Sequence, residues 1–218
     1  MNENDLLDIL KSYADEKFKV FSEKSVCSKL KLIGVRIPIL RRLAKIINLF
    51  ELRENATFEE VLLYGFILCK NKNLEFSKIY DYIKLIDNWA ICDCFVSSLK
   101  IKKNDEFFHF LVNLINNHSC EDEFIIRFAI VCFLRWFLPN RVDDIFKMIN
   151  HIKTDKYYIN MASAWCYCEG LIKAYDCTLE HLLTAECWVR NKAIQKACES
   201  YRIDENKKLF LKGLKVKN

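Results

Sequence analysis

The sequence predicts an all-α fold, a succession of about 12 short helices, on three observations. Glycine and proline are scarce: 4 Gly and 2 Pro in 218 residues, against usual frequencies of about 7% and 5%. Sheets and hairpins need those residues at their turns; tightly connected helices do not. Apolar residues recur with the 3.6-residue period of an amphipathic helix nearly throughout the chain. The stretches between the periodic segments are short and polar, as in Asn71-Lys72-Asn73 and Asn116-Asn117-His118-Ser119.

Taken in order, Asp5 to Phe21 reads as an opening helix. Gly34-Val35-Arg36-Ile37-Pro38 is a turn, and Pro38 suits the first turn of a helix running to about Leu49, where its missing N–H costs nothing. Thr57-Phe58-Glu59-Glu60 has the spacing of a capping box and opens a helix to Cys69. Further helices are expected near 75–86, 88–101, 105–117, 122–138, 141–152, 156–174, 178–186, 190–201 and 205–215. No linker interrupts them, so residues 1–218 read as a single domain.

Helices of two kinds alternate. One is plainly amphipathic; the other carries Trp, Arg or Asn near its start, at Asn88-Trp89, Arg127, Asn160 and Asn191-Lys192. The intervals, about 38, 33 and 32 residues, are those of two helices per unit, which predicts an α-solenoid of HEAT-like helix pairs curved around a concave groove. Polar residues recurring at one place on the second helices would line that groove.

Several classes are excluded. The 11 Cys include no CxxC pair and no histidines at zinc-finger spacing, and Cys92-x-Cys94 and Cys166-x-Cys168 each point to two helix faces. No metal and no cofactor is expected, and the thiols are read as reduced small hydrophobes. His109, His118, His151 and His181 have no nucleophile arranged around them, and no glycine-rich phosphate loop exists. There is no signal-peptide h-region and no uncharged apolar run of membrane-spanning length. A cytoplasmic monomer with no membrane partner is expected. The net charge is +5, but the segment from Arg190 to Asn218 carries nine Lys and Arg against Glu199, Asp204 and Glu205. A basic end on a near-neutral body suits a polyanion partner, or equally a solvated helix end.

The most informative stretch is Asp87-Asn88-Trp89-Ala90-Ile91-Cys92-Asp93. On a helix, Trp89 and Asp93 are i, i+4 neighbours and project from one face. An aromatic plate beside a carboxylate suits a flat cationic ligand, although a core Trp next to a solvated Asp has the same spacing. Arg127, flanked by Phe124, Ile125, Ile126, Phe128 and Ala129, is either a satisfied structural cation or one facing a ligand. Lys192, Gln195, Lys196 and Glu199 form a polar stripe after Trp188, whereas Trp136 and Trp165 sit in apolar contexts and are assigned to the core.

Five stretches, in order and covering about residue 30 to the end, resemble the bacterial DNA alkylation repair (AlkD-like) proteins. They are Gly34–Pro38 with Arg41-Arg42, Asp87–Asp93, Arg127–Ile130, Tyr157–Trp165 and Asn191–Lys196. The resemblance implies a HEAT-like solenoid that holds double-stranded DNA in its groove, and an N-glycosylase that excises positively charged N3- or N7-alkylpurines. It gives Asp93 an electrostatic and water-orienting role and lays Trp89 against the lesion. It makes Arg127 a groove arginine and has Arg36 and Arg41 grip phosphate, with Arg190, Lys192 and Lys196 as further DNA contacts. One departure stands out. By the same resemblance Lys196 occupies the position of a second tryptophan, and Glu199 replaces a basic residue one turn later. That departure keeps open a DNA-binding solenoid that has lost excision, and beyond it a protein-interaction scaffold.

Overall fold

The computed structural model describes residues 3–102 and 104–216; Met1, Asn2 and Lys217, which entered the reading of the two ends, lie outside them. The described residues form thirteen α-helices and no strand. They are α1 (Glu3–Ser12), α2 (Glu16–Val26), α3 (Ile37–Ile46), α4 (Phe58–Leu68), α5 (Phe76–Ile83), α6 (Trp89–Ser98) and α7 (Asp105–Asn117). After them come α8 (Glu123–Cys132), α9 (Val142–His151), α10 (Tyr157–Lys173), α11 (Tyr175–Leu183), α12 (Cys187–Glu199) and α13 (Glu205–Gly213). A π-helical turn, Phe133–Phe137, extends α8. The chain divides into two compact units, Met1–Lys102 and Lys103–Asn218.

Two elements differ in kind from the sequence expectation, and α11 and α12 each begin three residues earlier than the expected 178 and 190. The opening helix is broken: Asp15 leaves the helical region and its side chain accepts from Phe18 N at 2.9 Å, so the chain restarts as α2 behind an N-cap. The segment read as one helix over 122–138 changes to a π turn at Phe133. The capping box forms as expected: Thr57 Oγ1 accepts from Glu60 N at 3.3 Å, and the Glu60 carboxylate accepts from Thr57 N at 2.8 Å.

In the first unit, α3 packs on α4 and α4 on α6. Between α2 and α3 the chain is held by two carboxylates that grip backbone. Glu59, 1% exposed on α4, accepts from the amides of Ile33, Gly34 and Val35 at 2.9, 2.6 and 3.1 Å. Asp87, just before α6, accepts from Lys29 N at 2.6 Å and from the Ser28 hydroxyl at 2.8 Å. Gly34 is required twice over: its φ is +100°, and a Cβ there would lie 2.7 Å from the Asp15 carbonyl oxygen. Gly65 on α4 lets Tyr82 approach; its hydroxyl donates to Val61 O at 3.0 Å and its ring lies 4.1 Å from that of Phe95.

In the second unit the helices form two layers. α8, α10 and α12 stack side by side, with α9 packed on α11 beyond them; α7 backs α8 and α13 backs α12. Helix pairs repeated in this order are the solenoid arrangement expected from the repeat spacing. Phe107, Phe128, Phe133, Phe146 and Tyr167 are fully buried here, each contributing about 1.5–3 kcal/mol of hydrophobic stabilisation.

Candidate functional site

In the first unit the candidate side chains converge on α6. Asn88 caps the helix, its Oδ1 accepting from Ile91 N at 3.0 Å, and is completely buried. That cap fixes the helical register, so Trp89, Asp93 and Ser97 follow one another on one face, a turn apart. Trp89 is 36% exposed, and its indole N–H donates to the carbonyl of Ser25 at 3.0 Å, which fixes the plane of the ring. Asp93 is half-buried. Asp87, the other acid of the motif, is turned to the backbone of the α2–α3 connection and to the Asn88 amide at 2.6 Å; its role is to set the start of α6.

Arg41 reaches α6 from α3. Its Nη1 donates to Ser98 Oγ at 2.9 Å, its Nη2 to Ser97 Oγ at 3.1 Å, and its guanidinium lies 4.5 Å over the Phe66 ring. Cys94, between Asp93 and these serines, reports the local field. Its thiol is pushed up by burial and by the Asp93 carboxylate, against the pull of Arg41, so both charges act on one turn of α6. Cys69 behind them is pushed up to about 12, mainly by burial, and stays a neutral thiol. Arg36 is engaged elsewhere: Nε and Nη2 donate to Asp15 Oδ2 at 3.2 and 2.8 Å, and the guanidinium lies 4.7 Å over Phe18. The Asp15 carboxyl is accordingly held below its usual value, first by the Phe18 amide and then by Arg36.

In the second unit Arg127 is 4% exposed on α8, and Nη1 donates to the Tyr158 carbonyl at 3.2 Å. It ties α8 to the first turn of α10. Arg190 is half-buried and donates to Leu183 O at 3.3 Å. Lys192 lies 5.9 Å from the Trp188 ring centroid and donates to Gln195 Oε1 at 3.0 Å, and Gln195 in turn donates to Glu199 at 2.9 Å. Lys196 is half-buried one turn on; with Arg202 it opposes the rise of the Cys168 thiol, which burial and Glu169 push to about 11. Asn191 clasps the chain end, donating to Val216 O at 2.9 Å and accepting from Val216 N at 3.0 Å. Several cations of the basic end are paired: Arg202 with Glu169, Lys207 with Asp204 and Lys208 with Glu205. Asp93 and Arg127 belong to different units, and each is placed within its own.

The structure adds residues that the sequence reading passed over. Trp165 is not sealed in the core; it is half-buried, on a stripe of α10 with Tyr157 and Met161. Trp136 is likewise half-buried, edge-on to Phe107 at 5.6 Å with Arg135 5.4 Å over its ring. Tyr157, 54% exposed, meets Trp188, 37% exposed, at 5.9 Å. The i, i+4, i+8 spacing of Tyr157, Met161 and Trp165 was the available signal; the apolar neighbours of Trp165 masked it. Among the described residues no three or more His, Cys, Asp or Glu converge to hold a metal, and no helix is long and apolar enough to cross a membrane.

The family model for the DNA alkylation repair enzyme matches residues 6–169. No curated protein and no solved structure matches the chain.

Proposed function

The chain belongs to the DNA alkylation repair enzyme family, and so to DNA repair, and from that premise we propose that it excises positively charged N3- and N7-alkylpurines from duplex DNA. The observation that carries the reading is the face of α6, where a pinned, partly exposed indole stands one turn from a half-buried carboxylate and Arg41 is anchored at the next turn.

The chemistry asks little of an acid. An N-alkylated purine already carries the positive charge that makes it a leaving group. When the N-glycosidic bond breaks, its electron pair goes to the purine, which departs neutral, and the cationic charge passes to the sugar. Asp93 stabilises that oxocarbenium-like sugar and orients the water that adds to C1′, taking up the proton the water loses. Trp89 offers its ring to the cationic base before the bond breaks. Arg41 presents a guanidinium with five N–H donors; two are engaged by Ser97 and Ser98, which fixes the fork for a neighbouring phosphate. Arg36 in the first unit, and Arg190, Lys192 and Lys196 in the second, each offer a contact to the DNA backbone, with the protein acting as a monomer. Arg127, buried against Tyr158, serves by holding α8 and α10 in place.

The test is release of 7-methylguanine and 3-methyladenine from methylated duplex DNA by the intact protein. Release above the spontaneous rate supports the reading. A second reading, duplex binding without excision, is favoured by Lys196, whose charge repels a cationic lesion and attracts phosphate; salt-dependent binding with no release selects it. The aromatic ring expected at Lys196 has two partly exposed counterparts on the packed helices α12 and α10, Trp188 and Trp165.

A further inference from the structure

A cavity of about 700 Å³ lies between the C-terminal ends of α7 and α9. α7 packs on α8 and α9 on α11, and the hollow opens where α7 and α9 end and their connections to α8 and α10 begin. Its floor is Ile126 of α8, 2% exposed, and its walls are the half-buried Ile115, Met148 and Ile152. The Cys120 thiol donates to the Lys153 carbonyl at 4.0 Å, which joins the α7–α8 and α9–α10 connections at one side. The volume falls within the range of small-molecule sites, about 300–1,000 Å³.

The charged groups at its mouth are basic. Lys147, Lys153 and His151 are exposed and His118 is half-buried; all four line the cavity, and none of the described residues lining it is acidic. Helix C-termini ordinarily repel anions, because their last carbonyls carry partial negative charge. Here the histidines cover carbonyls of both helices. A carbonyl can only accept, so Nδ1 of His118 donates to Leu114 O at 2.9 Å and Nδ1 of His151 to Lys147 O at 2.6 Å. Acids nearby are bound elsewhere or lie outside the lining. Asp143, one turn before Lys147, is bonded by His181 at 2.7 Å, and Glu121, beside Cys120, by Lys156 at 2.7 Å; Asp122 and Asp155 do not line the cavity. An apolar floor under a basic rim is the chemistry that holds an anion with an apolar body.

We propose that this cavity is a binding site for a small amphiphilic anion, whose carboxylate, sulfonate or phosphate head is held by Lys147 and Lys153 while its apolar body lies on Ile126 and Met148. The site uses residues of the second unit alone and is independent of the excision reading. A nucleic-acid backbone is not its ligand, since a phosphodiester strand has no apolar part to fill the floor.

The experiment is a fluorescence titration of the intact protein with anilinonaphthalene sulfonate, an anionic amphiphile that brightens in apolar surroundings, beside the uncharged phenylnaphthylamine. The wild-type protein binds the sulfonate at least about tenfold more tightly than the Lys147→Ala, Lys153→Ala double variant, the loss expected from two hydrogen bonds to a charged head. The uncharged dye binds both proteins equally. A Lys212→Ala, Lys215→Ala variant removes the same charge from exposed positions outside the cavity and leaves sulfonate affinity unchanged. Met148→Trp fills the hollow and removes the lysine-dependent binding; circular dichroism verifies that each variant is folded. Decanoate displaces the sulfonate, whereas inorganic phosphate, a head without a body, does not at the same concentration. Equal sulfonate affinity in the wild-type protein and the Lys147, Lys153 variant overturns the proposal, as does an equal loss in the Lys212, Lys215 variant or binding untouched by Met148→Trp. Displacement by phosphate as effective as that by decanoate overturns it too. So does displacement by a short DNA duplex, which would assign the two lysines to nucleic acid.

Discussion

Asp93→Asn is the sharpest test of the α6 site, because it removes charge and keeps shape. Asp93 follows Trp89 by one turn on a helix fixed by the Asn88 cap, so the asparagine occupies the same place on the same face. A carboxylate about 4 Å from a developing cation contributes about 4 kcal/mol at the effective dielectric of a protein surface. Asp93 is half-buried, so water screens part of that; what remains is about 3–4 kcal/mol, or 10²–10³ in rate. The assay is single-turnover release of 7-methylguanine from methylated duplex with enzyme in excess, beside an equilibrium titration of unmodified duplex. Release slows by two to three decades, while duplex affinity is unchanged within about twofold, since an acid contributes nothing favourable to phosphate binding. Excision at the wild-type rate by the variant would refute the role given to the carboxylate. Loss of duplex binding together with excision would show that the acid holds the fold and not the transition state.

Four further outcomes follow from other contacts in the structure. Glu60, with a side chain 3% exposed, accepts from both Nε and Nη2 of Arg53. Burial pushes its carboxyl up, but Arg53 and Thr57 outweigh that and hold it below 4.5. Its stabilisation is therefore present above about pH 4.5 and lost as the pH falls through the depressed value. Urea denaturation should show Glu60→Gln about 3 kcal/mol less stable at pH 7, with the gap closing in acid; a constant gap refutes the linkage. Gly65→Ala would put a Cβ 2.3 Å from the Tyr82 hydroxyl oxygen, and the same denaturation experiment should read a loss of about 1–3 kcal/mol from overpacking. In duplex titrations against salt, Lys192→Ala should flatten the log–log slope by about one unit. Arg127→Ala should instead lower the melting temperature of the protein, as befits a buried cation bonded to Tyr158 O; a flattened slope with unchanged melting would return Arg127 to the DNA surface.

The helical class and most helix starts were legible because caps and periodicity are local signals. Thr57 with Glu60 and Asn88 before Trp89 each specify an N-terminus within four residues. The break at Asp15 escaped because the apolar period runs on through it, and only the cap to Phe18 shows where one helix stops and another starts. The face shared by Trp89 and Asp93 was legible for the same local reason. The engagement of Arg41 with Ser97 and Ser98 was not, since it joins residues more than fifty positions apart that no pattern connects. Asp87 and Arg127 illustrate the limit from the other side. Nothing in a sequence separates a charge that faces a ligand from one that faces a backbone group, and both of these bond backbone groups. Trp165 was misassigned because apolar neighbours were taken to mean a buried ring, although α10 leaves one stripe uncovered.

The grip of Glu59 on the amides of Ile33, Gly34 and Val35 carries a consequence for how this chain tolerates change. A carboxylate that reads backbone is indifferent to the side chains attached to it. Replacements at residue 33 that keep its amide and its packing should therefore pass with little effect, although it lies in the turn that leads to α3. The constraint is displaced twenty-six residues along the chain, onto one buried acid of α4. There even glutamine is unsuitable: an amide offers one oxygen where three N–H groups converge, and its NH₂ would confront them as a fellow donor. Variation among relatives should thus be permissive in the loop and restrictive in the helix, the reverse of the usual distribution between connections and cores.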